Sequence, residues 1–376
     1  TAVWSAVSGT ADIGVFNVAG TGTNPYLSAN MTMGGLFFSS TASSGWSLSG
    51  DSSATLTLTS GAASAANAAI SGSATSGTNT ISANLFLRSS SGTSYISTAG
   101  GSVLWLAGNV SGTTIQFFGI NSAAGTVVLS GSNNFSGRFI GVQASSGLTL
   151  NSAYALGGGG GVQLNPSAFS INNTSGTAVT LVGNNNIYFG ASGIGTGAQT
   201  LTFIGTNDLS FGSGTAVLAN ASKTISTTAG VLSIGSIDVS GTNSGAYTLG
   251  KSGNGTLAIT GSSGAGFGGG VSLTGGILQV GHNNALGTGT LTVAASTLQA
   301  INGDRVLPNA VSVSTGGGIT FSGSQSLTLN GLITFTAING PTNNIAAGKL
   351  LTFQGGINIY SGSNASPSAI DLQGSG

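Results

Sequence analysis

Short segments in which an apolar residue alternates with Ser or Thr recur along the chain, and they limit its fold more than any other feature. A period of two places the apolar side chains on one face of a β-strand and the polar side chains on the other. Clusters of Gly, Asn and Ser separate these segments and supply turns. The pattern predicts an all-β fold without substantial helix. Clear examples of the alternation are residues 54–59, 125–130, 255–260, 290–293 and 326–329.

Two stretches of the chain, residues 125–164 and 255–293, align with an offset of 130 residues. Both begin with Gly-Thr and an apolar strand segment, and both contain Ala-Leu-Gly, at residues 155–157 and 285–287. Repetition over a long period is typical of solenoids and other repeat arrays. We therefore predict a super-repeat of about 130 residues, each copy of which holds several coils.

The second stretch also carries a family resemblance. It reads G-T-L-A-I-T-G, then a Gly-rich segment, then G-G-I-L-Q-V-G and N-N-A-L-G-T-G-T-L-T-V. This series resembles the autotransporter-associated β-strand repeat of bacterial passenger domains and large surface proteins. Residues 1–9 and 31–38 resemble the first segment after the leader in such proteins. The resemblance implies a right-handed parallel β-solenoid, or β-helix, in a protein secreted by a bacterium to its exterior or cell surface.

These observations give a prediction of domain organisation. Residues 1–40 form an N-terminal segment that acts as a cap or as a donor strand, and residues 41–376 form one continuous solenoid. The coils are rich in Gly, Ser, Thr and Asn, and each is expected to take about 20 residues. The longest apolar stretches are too short for a membrane-spanning helix, so we predict no membrane span in this chain.

Charge is scarce: the 376 residues include six Lys or Arg, six Asp or Glu, one His and no Cys. An average soluble protein has about 25 % charged residues. Acid–base catalysis, metal capture and phosphate binding all use ionisable groups. We therefore predict no enzymatic activity, no cofactor, no metal site and no nucleic-acid partner. Stacking gives the scarcity a structural reason, because a charge repeated in every coil would face its like, whereas Ser, Thr and Asn ladders can hydrogen-bond.

Open strand edges at the ends of a solenoid usually carry charge, proline or a cap, and none is evident in this sequence. A net charge near zero also promotes association. We predict an extracellular structural protein that associates with itself, end to end or by strand donation, into a filament, fibre or sheath. Other surface components are further candidate partners. The alternative is an autotransporter-like passenger acting as a surface adhesin. Candidate contacts between subunits are Trp4, Phe16, Phe37 and Phe38.

Other residues with chemical potential are interpreted structurally. His282 lies in the turn of the repeat motif and is expected to be a turn residue. Asp304 and Arg305 are adjacent and could form an exposed ion pair, while Asp208 and Asp238 are the lone bases of an alternative carbohydrate-active enzyme. A glycosidase needs two carboxylates that face each other, and the six Asp are far apart in sequence. The aromatic residues are interpreted as packing residues, with ligand platforms as the alternative; they include Trp46, Trp105, Phe203 and Phe211.

Overall fold

The computed structural model confirms an all-β parallel solenoid. Its described residues form strands and turns without helix, and the strands stack in parallel, in register, from one coil to the next. The right-handed sense stays a prediction. The described residues are 13–16, 24–38, 45–59, 69–72, 77–88, 92–112, 114–120, 125–135, 137–141, 146–158, 160–190, 197–240, 247–314, 318–336 and 341–359.

The chain divides into two compact units, residues Thr1–Ile187 and Tyr188–Gly376. The strands of the first unit are β1 (Ile13–Phe16), β2 (Tyr26–Leu27), β3 (Met31–Met33), β4 (Gly35–Phe38), β5 (Ser47–Gly50), β6 (Thr55–Leu58), β7 (Ile70–Gly72), β8 (Gly77–Ile81), β9 (Asn84–Leu87), β10 (Thr93–Ala99), β11 (Ser102–Leu106), β12 (Val110–Gly112), β13 (Thr114–Ile120), β14 (Thr126–Leu129), β15 (Asn134–Phe135), β16 (Phe139–Gly141), β17 (Ser146–Leu150), β18 (Val162–Leu164), β19 (Ala168–Asn172) and β20 (Val179–Thr180).

The second unit contains the remaining strands, of which the first begins one residue before its boundary. They are β21 (Ile187–Phe189), β22 (Gln199–Phe203), β23 (Leu209–Ser210), β24 (Thr215–Ala219), β25 (Lys223–Thr227), β26 (Val231–Ile234), β27 (Ser236–Ser240), β28 (Leu249–Ser252), β29 (Thr256–Ile259), β30 (Val271–Leu273), β31 (Ile277–Val280), β32 (Leu291–Val293), β33 (Ser296–Ala300), β34 (Arg305–Leu307), β35 (Val311–Val313), β36 (Ile319–Gly323), β37 (Leu327–Leu329), β38 (Ile333–Phe335), β39 (Thr342–Ile345), β40 (Leu351–Phe353) and β41 (Ile357–Ile359).

Within each unit the strands form separate faces. In the first unit, one face runs from β1 through β4, β7, β10, β13 and β16 to β18, a second from β2 through β5, β8, β11, β14 and β17 to β19, and a third contains β3, β6, β9, β12 and β15. In the second unit, β22, β25, β28, β30, β32, β35, β38 and β41 form one face, β23, β26, β29, β31, β33, β36 and β39 another, and β34, β37 and β40 a third.

The core consists of apolar columns that run from coil to coil. Leu291 aligns with Val311 and Val293 with Val313, and all four side chains are buried. Between them Thr292, which is exposed, aligns with Ser312 on the outer face. The alternation predicted from the sequence therefore sets which side chains enter the core.

The outer face also contains hydrogen-bonded polar ladders of the predicted kind. The Gln279 side-chain amide donates to Gln299 Oε1 at 2.9 Å, and the Gln299 amide donates to Ser322 Oγ at 2.7 Å. These residues occupy aligned positions on β31, β33 and β36. Neutral side chains thus connect three successive coils without any charge.

The coils are longer than predicted. Only the coils around β30, β32 and β35 keep the expected repeat of 20 residues. The largest offset is 33 residues, between Ser47 and Thr80. The sequence did not show this because a turn can lengthen without altering the register of the strands beside it.

The two copies of the repeat motif share one turn geometry. The Ala155 and Gly157 amides donate to the Ser152 and Tyr154 carbonyls, and the Ala285 and Gly287 amides donate to the His282 and Asn284 carbonyls. The two glycines have φ angles of 66° and 65°. The left-handed conformation explains why both copies place Gly there.

Candidate association surface at the sheet edges

Three strands lie at sheet edges at each end of the described chain. β1, β2 and β3 are the first members of their sheets, and β39, β40 and β41 are the last of theirs. We call the first set the leading edge and the second set the trailing edge. Unpaired backbone N–H and C=O groups of an edge strand can pair with another chain.

The trailing edge carries apolar side chains that continue the core. Ile357 and Ile359 align with Ile333 and Phe335 on β38. Ile333 and Phe335 are 0 % and 2 % exposed, whereas Ile357 and Ile359 are 43 % and 38 % exposed. Core positions are therefore covered in one coil and uncovered in the next.

The neighbouring strand β40 shows the same change in burial. Leu351 and Phe353 align with the buried Leu327 and Leu329 of β37, but they are only partly buried themselves. Phe353 packs edge-on against Phe321, with 5.8 Å between ring centroids. The trailing edge is thus an apolar surface bordered by strand backbone, which matches the requirements for adding another coil.

The leading edge is different, because its inward side chains are covered. Phe16 and Phe38 are 4 % and 1 % exposed, and their rings stack with 4.6 Å between centroids. Phe37 is half-buried beside Val15, which is 53 % exposed. Of the four predicted contact residues, Phe16 and Phe38 therefore pack in the first coil, Phe37 reaches the outer surface, and Trp4 lies outside the described residues.

The strands β1 to β4, all before residue 40, pair in parallel with the strands of the following coils. The leading edge accordingly has the same strand architecture as the coils that follow. Such a segment is pre-shaped to stack on another parallel edge.

The Asp residues considered as bases hold backbone groups. Asp208 Oδ1 accepts a hydrogen bond from the Val231 amide, Asp238 Oδ1 from the Val239 amide and Asp304 Oδ1 from the Ser326 amide, each at 2.8 Å. Asp208 and Asp304 thereby connect one coil to the next. The pKa of Asp304 is lowered, first by the Ser326 amide and then by Lys349.

The predicted ion pair between Asp304 and Arg305 is wrong. Asp304 pairs instead with Lys349 at 3.2 Å. Arg305 Nε donates to the Ile301 carbonyl at 3.0 Å, and Arg305 also donates to the Asn302 carbonyl. The backbone of the turn thus holds the guanidinium, while stacking brings Lys349 to the carboxylate.

The interpretation of His282 as a turn residue is confirmed. Its Nδ1 accepts a hydrogen bond from the Asn284 amide at 3.0 Å, within the turn of the repeat motif. Among the described residues, no three His, Asp, Glu or Cys side chains are grouped closely enough to hold a metal ion. The described part of the chain also contains no helix long and apolar enough to cross a membrane.

Two of the three lysines lie in the core, which sequence reasoning missed. Lys223 and Lys251 are 1 % and 0 % exposed. Lys251 Nζ donates to the carbonyls of Ser252, Gly253 and Gly275 at 2.8 to 3.0 Å, and Lys223 Nζ donates to the Gly197 carbonyl at 2.8 Å. Burial lowers the pKa of each lysine to about 8. Their place at alternating inward positions of β25 and β28 was the available signal.

Comparison of the chain with models of known protein families, with curated proteins and with solved structures found no match. The family resemblance of residues 255–293 therefore stays a prediction.

Proposed function

We propose that this chain is an extracellular structural protein of a bacterium whose copies associate into a filament, fibre or sheath. The observation that carries the proposal is the uncovered core at the trailing edge, where Ile357 and Ile359 continue a column that is buried one coil earlier. A second copy would cover these side chains and pair the free edges of β39, β40 and β41. Extracellular location rests on the sequence resemblance alone.

The partner surface in this proposal is the N-terminal region of a second copy. Its three leading strands β1, β2 and β3 offer the same number of parallel edges as the trailing edge. Contact between unlike surfaces leaves one surface of each type free after every addition, so assembly proceeds without closing when the rotation does not bring the ends together. Such open assembly produces a filament.

Substitution at the trailing edge tests the proposal. Ile357→Lys and Ile359→Lys place a charge where an added coil would bury it, so both variants should stay monomeric while the unaltered chain forms larger species as its concentration rises. Asn358→Lys is the matched control, because Asn358 lies between them on the opposite face of β41. Sedimentation velocity and electron microscopy measure the size and shape of the species.

Mixing adds a sharper test. A chain with Ile357→Lys keeps its leading edge, so it should add to a growing assembly and then prevent further addition. A minor fraction of this variant should shorten assemblies of the unaltered chain, and Asn358→Lys should not. The proposal fails if the unaltered chain is monomeric at every concentration, or if both variants behave alike. The adhesin alternative, which needs no self-association, then becomes the leading prediction.

A further inference from the structure

Trp105 lies on the outer surface of the first unit, in contrast to most other aromatic residues of the described chain. Its side chain is 39 % exposed, whereas Phe203 and Phe211, grouped with it as packing residues, are both 0 % exposed. In β11 it alternates with the buried Leu104 and Leu106, so the backbone directs the indole outward. Packing within the core therefore does not account for this residue.

One hydrogen bond fixes the indole. Trp105 Nε1 donates to Ser130 Oγ at 2.7 Å. Trp105 aligns with Val128 on the next strand, β14, and Ser130 lies two residues beyond Val128. The ring is thus held across the adjacent coil, and its only polar atom is already paired. What the indole offers to a ligand is apolar ring surface in a fixed position.

A shallow groove of about 460 Å³ lies beside the ring. It is lined by Trp105, Val103, Val128, Ser130, Asn151 and Thr174, among others, and none of its described lining residues is charged. Asn151 Oδ1 accepts from the Thr174 amide at 2.8 Å, and Asn151 Nδ2 donates to Thr174 Oγ1 at 3.0 Å. The polar rim is therefore held in place by contacts between coils.

We propose that this groove binds a neutral polysaccharide, with a sugar ring stacked on Trp105. Sugar rings combine apolar C–H faces with a rim of hydroxyl groups, and the groove pairs an aromatic surface with amide and hydroxyl groups in the same way. A shallow, open site suits a polymer that lies across the sheet more than a small molecule that must be enclosed.

Charge discriminates against the other ligands that stack on aromatic rings. Nucleic acids need Lys or Arg to neutralise their phosphates, and acidic polysaccharides need them for their carboxylates. The groove lining supplies neither. This inference goes beyond self-association and does not depend on it, because all the groove residues belong to one unit of one chain.

The chain has three tryptophans, so ¹⁵N-labelled indole groups give a simple probe. The Trp105→Phe variant assigns the Trp105 signal. We expect neutral hexasaccharides of glucose or N-acetylglucosamine to shift that signal, with a Kd of about 1 mM or tighter. Hexagalacturonate and a single-stranded oligonucleotide should leave it unchanged.

Three variants make the test specific. Trp105→Ala should weaken binding at least about tenfold, because it removes the stacking surface. Ser130→Ala should weaken it about threefold, because it frees the ring but keeps it. Phe86→Ala is the matched control, since Phe86 is 37 % exposed on β9 and does not line the groove, and binding should be unchanged.

The inference is overturned if no neutral hexasaccharide shifts the Trp105 signal at about 5 mM, well above the Kd expected of such a site. It is equally overturned if the anionic probes bind better, or if Phe86→Ala and Trp105→Ala lose binding to the same extent.

Discussion

Asn and Asp side chains brace neighbouring coils by accepting backbone hydrogen bonds across them. Asn109 Oδ1 accepts from the Ser132 amide, and Asn283 Oδ1 accepts from the Val306 amide, each 23 residues further on. Asp208 and Asp304 make the same kind of contact. The side chains that first suggested catalysis or glycosylation thus connect successive turns of the solenoid. Because a turn amide lacks a strand partner, each brace satisfies a group that would otherwise need water.

Asn133 provides the strongest test of these braces. It is 3 % exposed, its Oδ1 accepts from the Val110 amide at 2.9 Å, and its Nδ2 donates to the Ala155 carbonyl at 2.8 Å. Asn133→Ala should lower the free energy of unfolding by about 2 to 4 kcal/mol, because it leaves two buried backbone groups unpaired. Asn134→Ala, at the exposed neighbour, should cost less than about 1 kcal/mol. Chemical denaturation measures both, and equal losses would contradict the role assigned to Asn133.

The buried lysines predict an unusual dependence of stability on pH. Their pKa values are about 8 in the folded chain, whereas the ordinary value for an unburied lysine is 10.5. Between these values the unfolded chain binds more protons, so the free energy of unfolding should rise as pH rises from 8 towards 10. Each lysine contributes at most about 1.4 kcal/mol per pH unit.

The Lys223→Met/Lys251→Met double variant separates this effect from other titrations. It keeps the length of the side chains and removes the charges, so the rise between pH 8 and pH 10 should disappear. Urea denaturation at several pH values is the measurement. A rise of the same size in the double variant would show that other groups cause it.

Residue positions could be predicted from the sequence only where a local pattern decides them. Alternation assigned Leu291 and Val293 to the core and Thr292 to the surface, as observed. The braces, the pairing of Asp304 with Lys349 and the groove at Trp105 depend on which residues stack in neighbouring coils. That register follows from turn lengths, which vary between coils, so the single sequence did not determine it.

Individual turns and strand pairs are the next scale. Gly287 adopts φ of 65°, and a Cβ there would lie 2.3 Å from the Phe267 carbonyl oxygen. Gly287→Ala should therefore lower stability by about 2 to 4 kcal/mol through strain and displaced backbone. Gly266→Ala is the control, because its Cβ would meet only Val239 Cγ2 at 3.7 Å, and its effect should be small. Thermal unfolding distinguishes the two, and similar melting temperatures would contradict the steric argument.

Aligned positions on neighbouring strands test why charge is rare. Thr292 and Ser312 are partners on β32 and β35. Changing both to Lys should destabilise the protein by about 0.5 to 1 kcal/mol more than the two single changes together, and added salt should reduce this excess. Lys at 292 with Asp at 312 should show the opposite sign. A double-mutant cycle measured at low and high salt checks both, and strict additivity would remove stacking as the reason.

At the scale of the whole molecule, each unit is stabilised by contacts between successive coils, so a coil with one neighbour is held less firmly than a coil with two. The trailing edge is such a coil among those described, and its amides in residues 342–359 should exchange hydrogen faster than those of β32 and β35. If copies associate as proposed, the same amides should become protected in the assembled protein. Mass spectrometry of hydrogen exchange on monomer and assembly tests this, and unchanged exchange at the trailing edge would argue against association there.

The placement of the basic residues also bears on survival outside a cell. Proteases of the trypsin type cut after Lys or Arg, and this chain offers only six such bonds. Lys223, Lys251 and Arg305 lie within strands β25, β28 and β34, and the first two point into the core. Cleavage after either buried lysine requires the local sheet to open first. A folded chain of this kind should therefore persist in surroundings rich in digestive enzymes.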